Sequence, residues 1–165
     1  MTAKQNFDTA RLRLRGLLPS DRSFIADLIS DENARRYLGG PVPMAQREAY
    51  ISRYFSGDIE KGQMVWLVEA KETHLPLGMI FVSKHKDGGD FELSYQFRPA
   101  AWGFGYAAEA AKRILDYALN DMQLTRLIAE TQSINVASCR LLERLGMKEL
   151  RRVQRFGAEQ IIYAS

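Results

Sequence analysis

Residues 97–120 read FRPAAWGFGYAAEAAKRILDYALN, with Gly103 and Gly105 on either side of Phe104 and an alanine-rich helical pattern directly after them. A helix N-terminus carries unpaired N–H groups and a partial positive charge, so it favours anions such as phosphates. Glycine lets a ligand approach that backbone closely. Gly103, Phe104, Gly105, Tyr106 and Ala107 would therefore offer successive N–H donors to a pyrophosphate. A connection that needs glycine only for strand-to-helix geometry explains the same letters, because a lone glycine pair is a weak motif.

Two further stretches place polar groups where chemistry could use them. NVASCRLLERLGM (135–147) reads as a helix ending at Gly146. Ala137, Ser138, Leu141, Leu142 and Leu145 fall on its inward arc, so Ser138 interrupts an apolar stripe, and Asn135 caps the start. Either the serine bonds back to its own turn, or both polar groups face a ligand held between two helices. Cys139 has no His or acidic partner in the motif and reads as packed and inert. In FELSYQF (91–97), Phe91, Leu93, Tyr95 and Phe97 share one face and Glu92, Ser94 and Gln96 the other. That polar face is either solvated or lines a cleft, where Glu92 could act as a base directly or through water.

GFGYAA also fits the dinucleotide fingerprint G-x-G-x-x-A, with Glu130 following roughly 20 residues later. Three features oppose that reading. RPAAW separates the strand from the first glycine, most of the chain precedes the motif, and too little follows for a doubly wound sheet. No metal-ligand spacing occurs, and His74 and His85 read as surface histidines in polar turns.

The elements that must position these residues follow from periodicity. RLRLRG (11–16) alternates as a half-buried strand, and Ser20 caps a helix through Phe24, Ile25, Leu28 and Ile29. DENARRYL is a short helical piece, and residues 43–55 form a helix that Gly57 and Gly62 end. Strands are expected at 64–70, 77–84, 91–97 and 125–130, and helices at 106–120 and 135–145. KELRRVQRF and EQIIYA form a closing hairpin around Gly157-Ala158. The order β-α-α-β-β-β-α-β-α-β-β indicates an α/β protein with a mostly antiparallel sheet.

Length and composition bound the rest. The 165 residues suit one domain spanning 1–165, with 46% hydrophobic and 26% charged residues. A net charge of +3 without a basic run argues against nucleic acid, yet suits a polyanionic cofactor. The single cysteine precludes an internal disulfide and agrees with a reducing cytoplasm. No apolar signal core or membrane-spanning window is present.

Taken together, TARLRLRGLLPSDRSFIADLISDENARRYLGG, ELSYQFRPAAWGFGYAAEA and NVASCRLLERLGM resemble the GNAT superfamily of acyl-CoA-dependent N-acyltransferases, in its RimJ/RimL-like branch. The resemblance covers nearly the whole chain and implies a mixed, mostly antiparallel central sheet of about seven strands flanked by helices. It also implies that the sheet is splayed at two strands around the cofactor slot. The superfamily motif, Arg or Gln-x-x-Gly-x-Gly or Ala, falls on Trp102, Gly105 and Ala107. Trp102 departs from the superfamily's polar residue but is similar to the usual choice in this branch.

By the same resemblance, backbone amides from Gly103 through Phe104, Gly105 and Tyr106 to Ala107 would hold the CoA pyrophosphate. Phe97 would bond the pantetheine and polarise the thioester carbonyl through main-chain groups. Asn135 and Ser138 would contact the arm near sulfur. Many superfamily members place a tyrosine where this chain has Leu142, so Ser138 is the substitute that serves the departing thiolate. Glu92, or a water chain, would take the amine's proton.

The resemblance thus implies a cytoplasmic N-acetyltransferase that uses acetyl-CoA as co-substrate, needs no metal and attacks directly from a ternary complex. Its acceptor would be a primary amine, either a protein N-terminal α-amine or a small amine. The acceptor cleft is expected near Arg35, Arg36 and Tyr37, opposite the closing hairpin, and a homodimer is expected from the family alone. The rivals are a non-catalytic acyl-CoA-binding module on the same fold and a nucleotide-dependent oxidoreductase.

Overall fold

Alternating and continuous apolar runs lay down one open eight-stranded sheet in a computed structural model, which describes residues 5–55 and 62–165. Its strands are β1 (Phe7–Asp8), β2 (Leu12–Arg15), β3 (Met64–Ala70), β4 (Pro76–Lys84), β5 (Phe91–Phe97), β6 (Leu127–Gln132), β7 (Lys148–Arg155) and β8 (Ala158–Ala164). They lie in the order β1-β2-β3-β4-β5-β6-β8-β7. The expected count of about seven is exceeded by the two-residue edge strand β1. Among the described residues four α-helices flank the sheet: α1 (Arg22–Ser30), α2 (Met44–Phe55), α3 (Tyr106–Asp116) and α4 (Val136–Arg144).

β3 and β4 are apolar almost throughout because both their faces are covered. Val65, Leu67, Met79 and Phe81 pack with Ile25, Leu28, Ile29 and Ile51 of α1 and α2. Trp66, Val68, Ile80 and Val82 pack on the other face with Ala110, Ala111 and Ile114 of α3 and Leu141 and Leu142 of α4. The alanines of α3 let that helix sit close to the sheet.

β5 and β6 run parallel and hold register at Phe91↔Leu127 and Glu92↔Ile128 alone. β5 nevertheless pairs with β4 along its whole length, and β6 pairs with β8 from Ile128 to Gln132. Beyond Glu92 and Ile128 the two strands therefore part, as the resemblance implied. Both open ends lead into the site: β5 through a 3-10 turn at Pro99–Ala101 into α3, and β6 into α4.

Three local readings change. Ser20 does not cap a helix, because Pro19 starts a 3-10 turn over Pro19–Asp21 and α1 begins only at Arg22. The buried Asp21 carboxylate instead accepts the Leu18 N–H at 2.7 Å and both arms of Arg15 at 2.9 and 3.0 Å. DENARRYL forms successive turns and no helix, because Arg35 folds inward to donate to the carbonyls of Gly40 at 2.9 Å and Leu38 at 2.8 Å. The last turn of the 106–120 helix widens into a π-turn at Tyr117–Asp121. Gly57 lies outside the described residues.

Candidate active site

At the turn before α3, Gly103 and Gly105 take φ of 84° and 79°, left-handed values that a side chain disfavours. The helix ladder begins when the Glu109 N–H donates to the Gly105 carbonyl at 3.1 Å. Among the described residues, none accepts from the N–H groups of residues 103 to 108. The five expected phosphate donors, Gly103 to Ala107, thus lie in one uninterrupted run.

A clamp from β2 and its approach sets this turn in place. The Arg11 guanidinium donates to the Phe104 carbonyl at 2.8 Å and to Glu109 at 2.7 Å, and lies 4.6 Å above the Tyr106 ring. The same Glu109 carboxylate accepts the Thr9 hydroxyl at 2.6 Å and the Arg11 N–H at 2.9 Å. Burial works to raise the Glu109 carboxyl, but the bonds from Thr9 and Arg11 prevail and hold it below its usual value. The partners of Glu109 stand about a hundred residues away in sequence.

Trp102 precedes the turn and Phe104 lies within it; they are 50% and 58% exposed, unusual for aromatics that serve only packing. Trp102 is also tied to β5, its indole N–H donating to the Phe97 carbonyl at 3.0 Å. The Arg98 N–H donates to the Leu77 carbonyl, so Phe97, one residue earlier, is a position that β4 does not hydrogen-bond. The main-chain groups of Phe97 and, by alternation, Tyr95 therefore turn toward the diverging strand β6. Of the two groups Phe97 offers there, Trp102 takes the carbonyl.

Asn135 caps α4 as expected, accepting the Ser138 N–H at 3.3 Å. Ser138 does not bond back to its own turn. Its hydroxyl meets the Tyr95 hydroxyl at 2.7 Å, across from β5 to α4. Burial pushes the Tyr95 phenol up to about 12, so it keeps its proton at neutral pH. Tyr95 had read only as a member of the apolar face, and it is one, but its hydroxyl reaches past that face. Ala137, expected inward, is exposed, whereas Leu141 and Leu142 are buried.

Glu92 lies at the joined end of the slot, five residues before Phe97, or about 17 Å along an extended strand. Its carboxylate is 3.8 Å from His85 Nε2, and His85 lies 2.7 Å from Glu130. Burial pushes the Glu92 carboxyl above its usual range, with the nearby His85 working against that shift. His85 is no surface histidine: it is 4% exposed, its Nδ1 accepts the Asp87 N–H at 3.3 Å, and Nε2–H is thereby left to donate to Glu130. His74 is exposed as expected and contacts Glu69 at 3.1 Å. Glu130, the ribose candidate of the dinucleotide reading, is committed to His85 and Arg155.

On the α1/α2 side of the slot, the Gln132 amide donates to the Tyr37 carbonyl at 3.2 Å and joins the α1–α2 connection to the end of β6. Arg36 is exposed, whereas Arg35 is buried against Tyr50 and holds its own turn. Of the three cleft residues expected here, Arg35 is therefore structural. Among the described residues no cluster of His, Cys, Asp and Glu could hold a metal, and no helix is long and apolar enough to cross a membrane.

Comparison with known proteins bears on this geometry. A family model described as the acetyltransferase (GNAT) domain matches residues 11–148. The uncharacterised N-acetyltransferase YnaD of Bacillus subtilis is 28% identical, over 85% of this chain and 81% of that protein. YkkB of the same organism, itself uncharacterised, is 28% identical over 99% of this chain and 96% of that protein. A GNAT-family acetyltransferase structure from Bacillus anthracis superposes with a TM-score of 0.83 at 22% identity, covering 98% of each chain. The ribosomal-protein-S5-alanine acetyltransferase of Vibrio fischeri superposes with a TM-score of 0.77 at 17% identity, covering 98% of this chain and 96% of that one.

Proposed function

The chain belongs to the GNAT acetyltransferase family, and from that premise we propose that it transfers the acetyl group of acetyl-CoA to a primary amine by direct attack in a ternary complex. The observation that carries this reading is the juxtaposition of two features. A run of N–H donors without an acceptor among the described residues opens α3, and the gap between β5 and β6 runs along the strand that leads to it. The donors Gly103 to Ala107 fit a diphosphate, and the gap fits an extended arm that hydrogen-bonds to strand edges. Trp102 and Phe104 supply apolar surface at the entrance.

The chain's own groups then have definable tasks. The N–H groups of Tyr95 and Phe97 face the gap, where they can hold the arm and stabilise the charge that develops on the thioester oxygen. Proximity supplies much of the acceleration, so no enzyme nucleophile is needed and Cys139 has no role. Ser138 is the hydroxyl that serves the departing thiolate. Tyr95 holds that hydroxyl in place. Leu142, where the superfamily tyrosine would stand, is 1% exposed in the core. The attacking amine must first shed a proton, and Glu92, set back at the joined end of the slot, takes it through water.

The acceptor reading includes protein N-terminal α-amines, supported by the Vibrio fischeri neighbour's stated action on an alanine of ribosomal protein S5. That neighbour, together with the sequence motifs, also supports the RimJ/RimL-like branch. One domain over 1–165 rests on chain length, a cytoplasmic setting on the single cysteine together with the family, and a homodimer on the family alone. The test is to mix protein and acetyl-CoA with a panel of N-terminal peptides and small amines and to measure free thiol. Amine-dependent thiol release is expected. Saturable CoA binding without release across the panel would identify a binding module instead.

A further inference from the structure

Three buried side-chain polar atoms among the described residues lack a hydrogen-bond partner: Gln96 Oε1, Glu130 Oε1 and Arg155 Nε. The last two lie 2.9 Å apart and neutralise one another as an ion pair. Gln96 Oε1 is left over. Gln96 is 7% exposed, and an amide oxygen kept from water without a donor is destabilising. Native proteins leave few such atoms, so this one requires a reason.

Its position supplies one. Gln96 stands opposite Met79 of β4, which packs among α1 and α2, so its side chain faces that side of the sheet. It lies in the half of β5 that has parted from β6. Across the gap, Gln132 faces the same side and is anchored to Tyr37. Gln96 thus stands beside Tyr95 in sequence, on the face of the sheet turned away from α3 and α4.

We propose that Gln96 is the acceptor-positioning residue, its side-chain oxygen accepting a hydrogen bond from the N–H of the incoming primary amine. The proposal rests on the reading that an amine attacks within the slot. A primary amine has an N–H to spend on Gln96 while its lone pair is aimed at the thioester carbon. A carboxylate here would stabilise the ammonium and oppose proton loss, whereas a neutral amide orients the nitrogen without that penalty. The site therefore selects amines that retain an N–H after the attacking nitrogen is placed.

Ethylamine is the probe. Gln96→Met keeps the side chain's length and removes the orphan oxygen, so its melting temperature should match or exceed the wild type's. Its KM for ethylamine should rise about tenfold, while KM for acetyl-CoA stays within about twofold. Gln96→Glu should lower KM for ethylamine and move the rising limb of the kcat profile to higher pH. An unchanged KM for ethylamine in Gln96→Met, or a parallel fall in stability and in acetyl-CoA binding, would overturn the proposal. Side-chain amide NMR separates it from the reaction itself. With CoA bound, adding ethylamine should shift the Gln96 amide signals even if no thiol is released, an outcome that sinks only the transferase reading. A shift complete on CoA alone would assign Gln96 to the cofactor arm and refute the acceptor role.

Discussion

At its first end β5 is locked. Phe91 and Glu92 pair with β6, Arg126 grips Asp90 with bonds of 2.8 and 2.9 Å, and Arg155 and Arg151 share Asp87. At its last end the same strand has lost β6. It carries Gln96, whose oxygen has no partner among the described residues, and leads to a turn whose N–H groups find no acceptor among them. One end pairs its charges within the chain, and the other holds donors and an acceptor that find no partner among the described residues. The contrast shows how a sheet can open: the cost of parting two strands is confined to one end because ion pairs and ladder bonds hold the other.

Substitutions at the two ends should behave differently. Gly105→Glu should have the largest effect, because it strains a left-handed residue and sets a negative charge in the phosphate seat. CoA affinity measured by calorimetry should fall by about 100-fold or more. Unchanged affinity would remove the diphosphate from this turn. Ser138→Ala should lower kcat by roughly tenfold to 100-fold while CoA affinity changes by less than about twofold. Intact turnover would make Ser138 a packing residue.

Glu109→Ala tests the clamp behind the turn. It leaves the Thr9 hydroxyl and the Arg11 N–H without their acceptor. It should cost about 1–2 kcal/mol of stability and weaken CoA several-fold. A thermal scan and one titration check both, and wild-type affinity would show that the turn holds its shape unaided.

The smallest effect belongs to the locked end. The hydrogen bond from Arg126 holds the Asp90 carboxyl below its usual range. A carboxyl depressed in the folded state stabilises above its ordinary pKa, and that contribution is lost as pH falls through the depressed value. Asp90→Asn should therefore lower the melting temperature at pH 7 by about 2–4 °C at most. The difference from wild type should close as pH falls below the ordinary carboxylate range. A gap that persists in acid would mean that Asp90 acts through packing.

The strands at 64–70 and 91–97 were legible to the residue, because their alternation and apolar runs report which faces are covered. The glycine turn and the Asn135 cap were legible because each is a local device. Long-range partners were not. Arg11 with Glu109, His85 with Glu130 and Tyr95 with Ser138 join residues between 43 and 98 positions apart. Periodicity assigns a side chain to a face but does not say which atom waits across it. His85 was misjudged for that reason, the hydroxyl partner of Tyr95 went unseen, and Gln96, correctly placed on a polar face, showed its isolation only once its surroundings were in view.

The measurement that bears most directly on the central claim is the crystal structure of the protein soaked with acetyl-CoA. It should show diphosphate oxygens within hydrogen-bonding distance of the N–H groups of Gly103 to Ala107 and the pantetheine arm running between β5 and β6. A coenzyme bound elsewhere, with β5 and β6 empty between them, would contradict it.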